Sequence, residues 1–147
     1  MIVGVGTDIT EVARIASLVE RHGERFLARV FTDEEVEYSL GRSRRHEHLA
    51  VRFAAKEAVL KAIKTGVGPG TSLREVEVLR GAKGEPEARL HGTTAKVARA
   101  KGVRRIHISL SHTEQYGVAF VVCEGEPGDA GESPCSAEKS PLPPCRA

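Results

Sequence analysis

Tryptophan is missing from the 147 residues, and aromatics make up only 4%. No run of about 18 apolar residues occurs, so the sequence offers no membrane-spanning helix. With so few aromatics, a stacking platform for single-stranded nucleic acid is poorly supplied, and no recognition signature for nucleic acid is found. Cysteine is scarce as well. Cys123, Cys135 and Cys145 are odd in number and form neither a Cys-x-x-Cys pair nor a metal-ligand spacing. A disulfide in the tail would need oxidising conditions. Met1-Ile2-Val3-Gly4-Val5 lacks a basic leader and a long apolar segment, so no signal peptide is expected and the default location is cytoplasmic. The glycine-rich Lys64–Ser72 segment lacks the Gly-Lys-Ser/Thr ending of a P-loop and follows a helical pattern where a P-loop precedes one. It reads as a helix cap and turn, with backbone amides still available to a phosphate.

What is present suits one globular domain: 40% hydrophobic and 29% charged residues. Net charge is +2, unevenly spread. From Glu124 onward five acids and two bases leave −3, so the rest of the chain carries +5. A moderately basic body suits an acidic partner such as nucleotide phosphates, an acidic protein or a nucleic acid.

Residues 1–123 alternate strand-like and helix-like patterns. Ile2, Val3 and Val5 predict a strand ending at Gly6-Thr7-Asp8, followed by a helix with Val12, Ile15, Ala16 and Val19 on one face, weakened or ended at Gly23. Thr32-Asp33-Glu34-Glu35 has capping-box form and predicts a short helix. The clearest helix runs from about His46 to Lys64, with Gly66 as its cap. A hairpin is expected around Gly81–Gly84, a short helix over Thr94–Lys101, a half-buried strand at 106–112 and a central strand at Tyr116–Val122. The expected class is α+β, a small antiparallel sheet packed with a long central helix. Residues 124–147, rich in Pro, Gly and Ser, read as a disordered tail.

Several residues have both a structural and a chemical reading. Asp8, placed between strand and helix, reads as an N-cap paired with Glu11, or as a carboxylate at an open strand end. Glu57 reads as an i, i+4 surface partner of Lys61, worth about 0.3–0.5 kcal/mol. Its neighbours argue for more: Ala54, Ala55 and Ala58 leave room for close approach, and Lys56 and Lys61 set two cations beside one carboxylate. That combination suits a magnesium–polyphosphate ligand, because magnesium takes oxygen ligands from one or two carboxylates plus substrate phosphates. His112, closing Ser109-Leu110-Ser111-His112, reads as a loop histidine, a phosphate donor or a general base. Arg14, Leu18, Arg21 and Arg25 follow an i, i+4, i+7, i+11 line. They form either a solvated face or a docking surface for an acidic helix.

Three segments together resemble the holo-acyl-carrier-protein synthase family of 4′-phosphopantetheinyl transferases. They are Gly4-Val5-Gly6-Thr7-Asp8-Ile9 with Glu11, Arg14 and Ile15; Arg52–Ala58 continuing through Lys61-Ala62 to Thr65-Gly66; and Ser109–His112. The resemblance covers almost all of 1–122 and excludes the tail. It implies the 4′-phosphopantetheinyl transferase fold, assembled as a homotrimer with active sites between subunits. The implied activity moves 4′-phosphopantetheine from coenzyme A to a serine of apo acyl carrier protein in fatty acid biosynthesis, releasing 3′,5′-ADP.

Carried onto this chain, the resemblance makes Asp8 and Glu57 the magnesium ligands. It sets Lys61 near the coenzyme A pyrophosphate and counts Lys56 among the cofactor contacts. Gly66, Ser109 and His112 fall near the nucleotide, and Arg14, Leu18, Arg21 and Arg25 become the carrier-protein dock. Glu57, Lys61 and His112 are the candidates for catalysis. Two bases stay open for the serine proton: a water positioned by Glu57 and the metal, or His112. The competing readings are a basic nucleic-acid-binding module and a transferase of broader carrier specificity.

Overall fold

A computed structural model describes residues 1–126; the tail expectation lies outside the described residues, apart from its first three positions. The elements run β1 (Ile2–Glu11), α1 (Val12–His22), α2 (Glu24–Val30), α3 (Asp33–Leu40), α4 (Arg45–Ala62), β2 (Val76–Arg80), β3 (Pro86–Leu90), α5 (Gly92–Ala100), β4 (Val103–His112) and β5 (Tyr116–Gly125). β1, β5 and β4 form an antiparallel sheet in that order, with β5 central as its apolar sequence predicts; β2 and β3 form a separate hairpin. The class is α+β, as expected.

The centre of the molecule is α4. From Leu49 to Ile63 nearly every side chain is buried, the signature of a helix enclosed on all sides rather than an amphipathic one. One apolar cluster packs it against the three-stranded sheet, β2 and α5 through Ala58, Val59, Val78, Ala98 and Val121. A second packs Leu49, Ala50 and Phe53 against Ile15 and Leu27 of the N-terminal helices and Phe31 just after α2. Each fully buried aliphatic or Phe side chain contributes about 1.5–3 kcal/mol, so α4 is the most strongly fixed element available to carry a site.

Three glycines let the sheet approach this helix. A Cβ on Gly4 would stand 1.9 Å from the Ala62 carbonyl oxygen, one on Gly6 2.0 Å from that of Ala58, and one on Gly117 2.7 Å from the Val51 backbone. A strand places residues i, i+2 and i+4 on one face. Gly4, Gly6 and Asp8 therefore share the face of β1 that lies on α4. The Gly-x-Gly-x-Asp pattern is the footprint of a helix backbone pressed against a strand, with a carboxylate at its rim.

Four expectations change here. β1 runs through Asp8 to Glu11, so Asp8 is a strand residue and not an N-cap; the cap position of α1 is Glu11, without a side-chain hydrogen bond. Gly23, at φ +51°, stops α1, and Arg25 then belongs to α2, which breaks the line of arginines expected on one helix. Leu18 is half-buried against the second cluster instead of fully exposed. β5 continues to Gly125, two residues past the domain boundary read from composition. The Thr32–Glu35 capping box is present, with both reciprocal hydrogen bonds.

Candidate active site

Asp8, Glu57 and Lys61 meet where the inner face of β1 crosses α4. Glu57 and Lys61 are one helical turn apart, on the side facing β1. The Lys61 ammonium donates to Asp8 Oδ1 at 2.8 Å and to the Thr7 carbonyl at 3.0 Å. The Thr10 hydroxyl donates to Asp8 Oδ2 at 3.0 Å. Asp8 is thus held from two sides with its carboxylate mostly covered (side chain 17% exposed), whereas Lys61 remains half exposed.

Glu57 differs from its neighbours. Burial pushes its carboxyl above the ordinary value and the Asp8 charge adds to that, against the opposing pull of Lys61 and Arg14. Two carboxylates within electrostatic reach make an anionic spot that favours a cation, and the Lys61 ammonium already lies on one of them. Among the described residues no group of three or more His, Cys, Asp or Glu side chains converges. A hard divalent ion would therefore take oxygens from Asp8 and Glu57 and complete its shell from water or substrate. The donor set fits such an ion and does not enclose it.

Lys56 has another place altogether, which corrects its reading as a cofactor contact. Its side chain is fully buried, as is that of Glu35. The ammonium donates to Glu35 Oε2 at 2.8 Å, to the Leu73 carbonyl at 3.1 Å and to the Val76 carbonyl. All three N–H bonds are used inside the protein. Glu35 in turn accepts from the Thr32 and Val78 amides, so the pair fastens α3 and β2 to α4. Lys56 and Glu57 are consecutive, and that single step of about 100° on a helix turns the side chain from site to core.

Ser109, His112 and Gly66 are not gathered around Asp8 in one chain. Asp8 pairs with Ala119, which pairs with Leu110, and His112 lies two residues further along β4. Two strand spacings and two residues separate the Asp8 and His112 Cα atoms by about 12 Å. Ser109 projects to the opposite, outer face of the sheet, opposite exposed Phe120. Gly66, with φ +72°, follows the C-terminal end of α4 and receives the Thr71 hydroxyl on its carbonyl at 2.6 Å, whereas His112 contacts Glu47 near the N-terminal end of α4.

On the N-terminal helices, Arg14 is exposed and its guanidinium lies 5.7 Å from the centre of the Phe53 ring, with a charge that reaches Glu57. Arg21 is exposed and donates to Ser17 Oγ at 2.9 and 3.2 Å. Arg25, on α2, is exposed too.

Two features escaped the sequence reading. The first is a cationic cage around Tyr38: the guanidinium groups of Arg52, Arg42 and Arg80 lie 4.4, 4.6 and 6.0 Å from its ring centre. Burial pushes the phenol upward, but the hydrogen bond from Arg80 and the three charges outweigh it, and the hydroxyl is left below its ordinary value. The second is an apolar outer sheet face carrying Val5, Ile9, Val118 and Phe120, each 36–63% exposed. Spread over two strands at alternate positions, it forms no run in the sequence; only strand pairing assembles it.

Residues 4–121 match the model of the 4′-phosphopantetheinyl transferase superfamily. A holo-[acyl-carrier-protein] synthase from Koribacter versatilis (strain Ellin345) is 48% identical over 124 residues, which is 84% of this chain and 99% of that protein. The crystal structure of holo-[acyl-carrier-protein] synthase from Neisseria meningitidis superposes with a TM-score of 0.78 at 37% identity, covering 84% of this chain and 99% of that one. A holo-(acyl-carrier-protein) synthase from Bacillus anthracis str. Ames, solved in complex with CoA (3′,5′-ADP), gives 0.70 at 35% identity over 86% of this chain and 99% of that one.

Proposed function

The chain belongs to the 4′-phosphopantetheinyl transferase superfamily, and we propose that it acts as a holo-[acyl-carrier-protein] synthase with Asp8, Glu57 and Lys61 at its reacting centre. The reaction moves 4′-phosphopantetheine from coenzyme A to a serine of apo acyl carrier protein in fatty acid biosynthesis. The serine oxygen forms a bond to the β-phosphorus of coenzyme A, the bridging P–O bond to the α-phosphate breaks, and 3′,5′-ADP leaves with the electron pair. The observation that carries this reading is the carboxylate pair at the rim of β1 and α4, with an ammonium beside it.

Each residue has a task that its surroundings support. Asp8 and Glu57 would hold a magnesium ion, which when bound would neutralise charge on the pyrophosphate. Lys61, half exposed and anchored on Asp8, places a positive charge where the leaving group gains electrons. The serine proton passes to a water positioned by Glu57 or to His112. Arg14, Arg21 and Arg25, with the flank of Leu18, offer an acidic carrier helix a basic surface on two adjoining helices. Gly66, Ser109 and His112 contact the nucleotide end of coenzyme A.

The outer sheet face supports assembly as a homotrimer, because isolated monomers rarely leave such a contiguous apolar surface in water. Assembly also removes the geometric problem of the site: contacts on opposite sheet faces and near opposite ends of α4 serve one ligand when they come from two subunits. No helix of the described residues is long and apolar enough to cross a membrane, and a cytoplasmic location completes the reading.

The test is transfer itself. With magnesium, coenzyme A and an apo carrier protein, the carrier gains the mass of phosphopantetheine; a folded enzyme with a competent carrier and no mass gain overturns the assignment. Chelation abolishes transfer and magnesium restores it. Asp8→Ala and Glu57→Gln each lower kcat/KM by about 100-fold, equivalent to ~2.7 kcal/mol. Near-normal rates in both variants place the metal elsewhere.

A further inference from the structure

We propose that Glu47 is a positioning residue for His112, fixing which ring nitrogen is presented to coenzyme A; the proposal rests on reading His112 as a contact to that substrate. Glu47 lies in the first turn of α4, where an acid usually needs no explanation beyond the helix dipole. Its surroundings ask for more. The residue is only 8% exposed, and the cap position of α4 has no side-chain hydrogen bond, so Glu47 does not serve the free amides beside it. Its Oε2 lies instead 2.9 Å from Nδ1 of His112, 65 residues away at the end of β4. The other charge near it, Arg44, is 3.8 Å off and largely in solvent.

A carboxylate only accepts hydrogen bonds, so the proton of this pair sits on Nδ1 of His112. Nε2 is then the nitrogen without a partner among the described residues. It offers a lone pair when the ring is neutral and an N–H when the ring is charged. The ring plane is fixed as well. His48 packs against His112 with centroids 5.6 Å apart, and Tyr38 meets His48 edge-on at 5.7 Å. Fixing a ring nitrogen through the other nitrogen's hydrogen bond is how proteins commonly set histidine tautomers.

Two further histidines provide controls within the same molecule. His91 pairs with Glu77, and His107 with Glu124, both through Nε2 rather than Nδ1. By the same logic they hold the opposite tautomer.

The experiment is long-range 1H–15N correlation of ring nitrogens in the full chain, at a pH where the rings are neutral, with His112 assigned by its Ala variant. His112 is expected protonated at Nδ1, and His91 and His107 at Nε2. Glu47→Ala releases His112 to the mixture of a free imidazole and raises KM for coenzyme A by about tenfold, with KM for the carrier protein unchanged. Glu47→Gln keeps a carbonyl acceptor for Nδ1–H, preserves the tautomer and recovers most of the affinity. An unchanged His112 tautomer in Glu47→Ala overturns the proposal. So does a Glu47→Ala loss that is just as large in a His112→Ala background, since Glu47 would then act through something else. If His112→Ala leaves KM for coenzyme A untouched, the reading of His112 falls and the positioning role with it, while the tautomer spectrum still reports whether the pair forms.

Discussion

The Lys56 ammonium, with three hydrogen bonds inside the protein and a carboxylate at 2.8 Å, is a charge that folding had to dehydrate. Burial pulls its proton affinity below the ordinary lysine value, and the Glu35 charge only partly opposes this. Breaking such a pair from one side costs about 3–5 kcal/mol, because the remaining charge is stranded. Lys56→Met therefore shifts the denaturation midpoint strongly while the folded variant binds coenzyme A with its normal KM. A variant that keeps its stability and loses coenzyme A affinity would return Lys56 to the active site. The sequence could not decide this, because Lys56 and Lys61 carry the same charge and differ only in angle around α4. That angle was hidden by a helix buried on every side, which has no apolar stripe to mark inward from outward.

Elements were more legible than residues, since each has a local cause. The Thr32–Glu35 box starts α3, Gly23 stops α1, and the alternation in β4 and the apolar run of β5 gave their places. What local pattern could not supply was capping from a distance. α5 starts without a side-chain cap of its own at His91. Glu75, 16 positions earlier, takes the role by accepting from the Thr93 and Thr94 amides at 3.2 and 2.8 Å and from the Thr94 hydroxyl at 2.6 Å. Those bonds, the Thr94 hydroxyl first, hold the Glu75 carboxyl below its ordinary 4.5. A depressed carboxylate stabilises the fold above its unfolded value and loses that contribution as the pH falls through the folded one. Glu75→Gln is thus expected to lower stability near neutrality by about 0.5–2 kcal/mol, the usual worth of a helix cap. The gap to the parent should narrow as the pH falls through and below 4.5. Denaturant titrations at pH 7 and well below pH 4.5 check both parts; a constant gap shows that the Glu75 charge contributes nothing.

At the scale of the whole molecule, the residues proposed for the site are not gathered in one chain. Asp8, Glu57 and Lys61 occupy the inner side of the sheet, Ser109 the outer side, and His112 lies about 12 Å from Asp8. The apolar outer face connects these facts, because covering Val5, Ile9, Val118 and Phe120 with other copies, as proposed, would bring new residues to each site. Phe120 is half exposed, so Phe120→Glu leaves the monomer fold intact, places a charge in the proposed interface and is expected to yield a folded monomer without transfer activity. Light scattering then reads the 15.8 kDa chain mass in the variant and about three times that in the parent. Mixing supplies the sharper test. Asp8→Ala and His112→Ala are each impaired alone, but a site that takes Asp8 from one subunit and His112 from its neighbour becomes whole again at some interfaces of a mixed trimer. Activity should therefore reappear once the two variants are unfolded and refolded together. If mixed trimers form and the activity stays at the level of the separate variants, Asp8 and His112 serve the same site from a single chain, and the outer face has another purpose.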